Sequence, residues 1–295
     1  MGVYEEISSN KWKSFFLVSF FIVIIIVLGY VFGLIFFNPF IGLFFAFIFS
    51  IVMTLISIFS GDKILLRMLH AKEAKKPEHA KIINIVEGLS IAAGIPKPKI
   101  YVIDDTAINA FATGFKVEKA TVTFTTGALQ RLNKEELEGV AAHEISHIKN
   151  YDIRLMLLVA TLVGISVLIS DMILRSLWWG GGRRDENKGQ IYIILIGLAL
   201  AILTPIMVQL IKLAISRRRE FLADASGALL TRYPKGLANA LKKIRDDKEP
   251  VVEVANRATA HLFIENPLRK LSKHTSHLFS THPDINMRIE RLENM

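Results

Sequence analysis

The 295-residue chain contains no cysteine. That absence removes disulfides, thiolate zinc fingers, iron–sulfur clusters and cysteine nucleophiles together, so any metal must be held by histidine and carboxylate, and any nucleophile must be Ser, Thr or water. Charge is also sparse, with 21% of residues charged against 52% apolar and a mean hydropathy of +0.39. This balance excludes a disordered chain, a collagen-like fibre and a small disulfide scaffold. The apolar excess lies in four long runs, the pattern of membrane spans.

Phe15 to Phe37 carries no charge in 23 residues, and at roughly 1.5 Å per residue it reaches about 34 Å, enough to cross a bilayer. It is too long for a cleavable signal, and a second run, Pro39 to Ile58, follows directly after an Asn38-Pro39 turn. A third run, Leu155 to Leu174, carries Asp171, and a fourth, Ile191 to Ile215, carries Pro205 and Lys212. Both charges lie near span ends, where they can snorkel to the interface. The spans divide the chain into a hairpin over 1–61 (spans 15–37 and 39–58), a soluble piece over 62–154, a second hairpin over 155–215 (spans 155–174 and 191–215) and a second soluble piece over 216–295. Twelve Lys and Arg flank the spans on the side of both soluble pieces, including Lys63, Arg67, Lys72 and Arg217; the loop opposite has four, Arg175, Arg183, Arg184 and Lys188. By the positive-inside rule both pieces face the cytoplasm. The net charge of +9 then has a topological origin and no nucleic-acid partner is implied.

The first soluble piece predicts a basic helix over 62–76 and a second helix over 78–93, stopped by Gly94-Ile95-Pro96. Strand patterns follow at Lys99–Ile103, Ile108–Ala112 and Ala120–Thr125. Asn133, three residues before Glu136, forms a capping box opening a helix that runs through residue 150 and straight into the third span.

Within that helix stands His143-Glu144-Ile145-Ser146-His147. Histidines four apart share one helix face, the spacing two imidazoles need to ligate one tetrahedral zinc. Glu144 between them is placed to take a proton from an activated water. Chance alone gives such a pattern in on the order of one chain in a hundred of this length, so a second element is needed. An open zinc site requires a third protein ligand, and a glutamate on another helix is the expected donor. Ser216-Arg217-Arg218-Arg219-Glu220-Phe221-Leu222-Ala223-Asp224-Ala225 supplies it: Glu220 and Asp224 share a face, Glu220 to ligate and Asp224 to accept the outer ring N–H of a zinc histidine.

Two hydrophobic spans, HEISH before a third, SRRREFLADA after a fourth and the stretch Asn109-Ala110-Phe111-Ala112-Thr113-Gly114 together resemble the HtpX family of membrane zinc endopeptidases, relatives of the integral-membrane CAAX prenyl proteases. The resemblance covers essentially the whole chain. It implies that Asn109, Ala110, Phe111 and Ala112 form an edge strand to which a substrate peptide adds by main-chain hydrogen bonds, although an ordinary buried strand reads similarly. It also implies that His282, in Ser280-Thr281-His282-Pro283 before a terminal helix with Arg288-Ile289, sits near the zinc and stabilises an oxyanion. Where the family often has a second proline this chain has Asp284. Residues 248–281 mix apolar and basic side chains without a clear period, which fits a substrate-facing flap as well as plain packing. His70, His79, His261, His274 and His277 have no partner at ligand spacing.

The resulting expectation is an α+β protein with four transmembrane helices and a zincin-like, mainly helical cytoplasmic protease domain with a small β-sheet. One Zn²⁺ would be held by His143, His147 and Glu220, with Glu144 as general base. It would sit in the cell membrane and cleave polypeptides; quality control of misfolded membrane proteins under stress is what the resemblance implies. A dedicated processing protease of the prenyl-protease kind would carry more spans. An intramembrane protease would place its HExxH inside a span, with a distant Asp as ligand, and a non-catalytic scaffold would not need the intact ligand set. No sequence feature selects an oligomeric state.

Overall fold

The computed structural model describes residues 3–36, 38–162, 164, 217–247, 259, 262–264 and 283–295. Two long helices open the chain, α1 (Val3–Phe36) and α2 (Pro39–Met68). Asn38 turns the chain between them: its Oδ1 accepts from the amides of Phe40 at 2.9 Å and Ile41 at 3.3 Å, and Pro39 occupies the first turn, where no donor is missed. Trp12–Tyr30 and Pro39–Met68 are long and apolar enough to cross a membrane, and side chains such as Phe16, Phe40 and Phe59 are exposed along them. The two helices meet through glycine. A Cβ on Gly42 would stand 2.2 Å from the carbonyl oxygen of Gly29 and 2.8 Å from the Cα of Gly33, so no larger residue permits this approach.

The expected basic helix over 62–76 is not a separate element. Residues 62–68 prolong α2, whose Leu65 and Leu66 are buried together with Leu69, and Lys72–Glu73 form β1 instead. Here sheet pairing overrides the helical pattern, since Lys72 pairs with Val102 and Glu73 with Tyr101.

The four-stranded sheet is mixed, in the order β1-β2-β4-β3. Strands β2 (Lys99–Ile103) and β4 (Thr121–Thr125) run parallel, and β3 (Ala110–Thr113) lies antiparallel to β4 at the sheet edge. The third strand starts two residues later than its apolar run, because the Ile108 amide donates to Asp247 and the Asn109 amide to Thr125 Oγ1. Helix α3 (Ala80–Ala93) ends on Gly94, which takes the left-handed conformation at φ 69°. A short α4 (Thr126–Arg131) follows β4.

Helix α5 (Lys134–Lys149) begins with a full capping box, Asn133 and Glu136 exchanging two 2.8 Å hydrogen bonds between side chain and backbone. It is the central element of the fold, in contact with α3, β3, α6 (Arg217–Thr231) and α7 (Pro234–Asp246). One core of Val86, Phe124, Leu137, Ile145, Leu241 and Ile289 joins these layers, the last from the terminal helix α8 (Ile285–Glu293). Asp284 caps α8 through the Asn286 amide at 2.8 Å, so the residue that departs from the family pattern has a structural use here.

α5 does not continue into the next segment as expected. Asn150 caps it, Tyr151 adopts a left-handed φ of 61°, and a new helical run covers 152–162. In that run Leu155, Leu158, Val159 and Leu162 pack on Leu17 and Phe21 of α1, and Thr161 hydrogen-bonds Ser57 of α2. The architecture is thus helix-dominated α+β, with a small mixed sheet and two helices of membrane-crossing length. Most of the third expected span, the fourth, the loop between them, His282 and nearly all of 248–281 lie outside the described residues.

Candidate metal centre

The site is built where α5 and α6 cross. Gly227 makes the close approach possible, since a Cβ there would stand 3.1 Å from the His143 backbone nitrogen. Asp224 and Glu220 lie three and seven residues before Gly227, about one and two turns earlier on the same face of α6, and so face the HEISH turn of α5.

The two imidazoles meet edge to face, their Nε2 atoms 3.1 Å apart. Glu220 closes the triangle, with Oε2 3.7 Å from His143 Nε2 and Oε1 3.6 Å from His147 Nε2. All three side chains are buried. On the far side of each ring stands a carboxylate: Asp224 Oδ1 lies 2.9 Å from His143 Nδ1, and Asp152 Oδ2 lies 2.9 Å from His147 Nδ1. With the Nδ1 protons on the side of these carboxylates, the Nε2 lone pairs point at one another. Two converging lone pairs and a carboxylate in a buried site repel unless a cation lies between them. His143, His147 and Glu220 are therefore a donor set that fits a metal ion.

The electrostatics agree. Burial opposes charge on His147, but the Asp152 hydrogen bond and the carboxylates of Glu220, Asp152 and Glu144 outweigh it and raise its pKa to about 9. The site therefore concentrates negative charge that a divalent cation satisfies in the proton's place. Burial pushes His143 the other way, helped by His147 and Arg288 and opposed by Asp224. For Asp224, burial is overcome by the Arg288 charge and the His143 hydrogen bond, which hold it well below the usual carboxylate range.

Glu144 is buried beside the triangle. Burial, reinforced by Glu220 and opposed by His147, Arg288 and a hydrogen bond from the Ala112 amide, pushes its pKa up to about 7. Ala112 belongs to β3, so the sheet edge and the site adjoin. All four β3 residues are buried despite the edge position, and the Ala110 carbonyl accepts from the Ile264 amide at 2.9 Å. Phe263 stacks edge to face on Phe111, with ring centroids 5.0 Å apart. Asn109 precedes the strand, its carbonyl accepting from the Thr125 amide.

Two residues at the site were not singled out by sequence. Asp152 follows the left-handed break, whose position a tyrosine does not advertise. Arg288 is fully buried, donates to both Asp224 oxygens at 2.8 and 2.9 Å and to the Ile264 carbonyl at 2.9 Å, and brings α8 to the centre. Its presence in an Arg-Ile pair near the terminus was the one available signal.

The comparisons with known proteins agree with this chemistry. The model of Peptidase family M48 matches residues 76–295. A protease HtpX homolog of Thermoanaerobacter pseudethanolicus is 49% identical over 244 residues, covering 81% of this chain and 80% of the relative. Homologs from Dictyoglomus turgidum and Listeria monocytogenes are 44% and 41% identical, each covering 99% of this chain and 94% and 100% of their own length. Among solved structures, S. mikatae Ste24p shares the fold with a TM-score of 0.50 at 19% identity, over 85% of this chain and 58% of that one. The chain belongs to peptidase family M48, alongside the HtpX proteases, and is a membrane-bound metalloprotease.

Proposed function

We propose that the chain is a zinc endopeptidase that spans the membrane four times and cleaves polypeptides on the cytoplasmic side. Its zincin-like catalytic unit is assembled from residues 62–154 and 216–295, with hairpins over 1–61 and 155–215 as the membrane part. The observation that carries this reading is the convergence of His143 Nε2, His147 Nε2 and the Glu220 carboxylate, with each imidazole held from behind by an aspartate. Nitrogen and oxygen donors in a three-residue set suit zinc, which supplies Lewis-acid polarisation of the scissile carbonyl and of water when bound.

The chain's own groups do the rest. Glu144 accepts a proton from the attacking water as its oxygen bonds to the carbonyl carbon, then delivers that proton to the leaving amine as the C–N bond breaks. A carboxyl with a pKa of about 7 suits both directions of transfer near neutral pH. Asp224 holds His143 in its ring orientation, and a substrate main chain that joins the β3 edge takes the place of the 262–264 segment, whose Ile264 amide bonds the Ala110 carbonyl. His282 donates to the developing oxyanion. The substrates are membrane or misfolded proteins, in keeping with a site next to the membrane helices.

The test is cleavage of a destabilised membrane protein by the full chain in proteoliposomes. Cleavage should stop with a chelator and return with added zinc; chelator-resistant cleavage contradicts the reading.

A further inference from the structure

Asp152 is not among the metal-facing donors, yet it is 1% exposed and its Oδ2 sits 2.9 Å from His147 Nδ1. In an unbroken helix this contact cannot form. Five residues advance the direction of a side chain by about 500°, so His147 and Asp152 would point some 140° apart. The break does it: Asn150 ends α5, Tyr151 takes φ 61°, and Asp152 opens the next helical run turned back toward the site. The side chain of Tyr151 packs against the main core, which holds the bend. Arg219, one residue before Glu220, approaches the other Asp152 oxygen at 3.9 Å.

The run that Asp152 opens is the one seated on the membrane hairpin. Leu155 and Leu158 pack on Leu17 and Phe21, Met156 and Leu157 on the end of α2, and Thr161 bonds Ser57. Gly61 sets the spacing, since a Cβ there would stand 2.9 Å from the Thr161 methyl. The position of Asp152 is therefore fixed by packing against α1 and α2, and the orientation of one imidazole is fixed by Asp152.

We propose that Asp152 is a positioning residue for His147, and that the left-handed Tyr151 makes the packing of the membrane helices a determinant of the metal site. The inference rests on the metal-site reading above. It gives the helix break a purpose: a straight passage from α5 into the membrane would leave His147 with no carboxylate behind it.

The test is Co²⁺ and Zn²⁺ binding by the full chain in lipid nanodiscs, read by chelator competition and by the visible spectrum of bound Co²⁺. Asp152→Asn keeps the size of the side chain but removes its charge, and should weaken metal binding by about 10–100-fold and shift the Co²⁺ bands. Tyr151→Gly, which adopts the left-handed conformation freely, should bind better than Tyr151→Val, which resists it. Gly61→Leu, distant from the donors, should also weaken binding, and less so in an Asp152→Asn background. Wild-type affinity and spectrum in Asp152→Asn overturn the proposal, as does equal binding by the two Tyr151 variants if Asp152→Asn fails to fold. Absence of metal binding in the wild type would instead refute the metal-site reading itself.

Discussion

Replacing Glu144 with glutamine keeps the shape of the side chain and removes its basic oxygen. Because Glu144 is not one of the three converging donors, Glu144→Gln should retain bound metal while kcat falls by about 10²–10⁴-fold, measured on a protein substrate beside metal analysis of the same preparation. Arg288 has a different role. It is the buried counter-charge of Asp224, and its removal strands a carboxylate behind His143. Arg288→Ala should cost about 3–5 kcal/mol of stability, seen as a lower melting temperature, and Arg288→Lys should recover only part because one ammonium cannot reproduce the forked contact. At this scale the legible residues were those whose relation is local or carried by chemical need. His143 and His147 are four apart on one helix, and a two-histidine site needs a carboxylate. Asp152 was hidden by a backbone conformation that tyrosine rarely takes, and Arg288 by a tertiary contact from the far end of the chain.

The crossing of helices around α5 depends on missing side chains. A Cβ on Gly139 would lie 2.5 Å from the Leu237 backbone nitrogen, and one on Gly236 2.6 Å from the Glu135 carbonyl oxygen, so α5 and α7 touch backbone to backbone. Gly139→Ala should therefore destabilise the protein by about 1–3 kcal/mol through overpacking. Gly88, exposed within α3, is the control, because a Cβ there would meet no neighbouring element within 4 Å. Gly88→Ala should raise stability by about 0.5–1 kcal/mol, and thermal unfolding of the two variants separates them. Elements bounded by chemical punctuation were readable, as with the Asn133 capping box and the Gly94 stop. The end of α2 was not, because the basic residues after Ile58 carry helical and strand patterns alike until β2 is there to pair with Lys72.

At the scale of the whole molecule, the lack of cysteine becomes a tool. A single cysteine at exposed Lys134, on the first turn of α5, can be labelled without any background thiol. If the protease unit is cytoplasmic, a membrane-impermeant maleimide should label Lys134→Cys in inverted vesicles and leave it unlabelled in intact cells; the reverse pattern contradicts the orientation. On this account His143, His147 and Glu220 hold the metal on which hydrolysis depends. This is tested most directly by the zinc content of the purified full chain, determined by mass spectrometry for wild type, Glu144→Gln and Glu220→Ala. One zinc per chain is expected in the first two and a loss of zinc in Glu220→Ala, whereas stoichiometric zinc retained by Glu220→Ala contradicts the assignment.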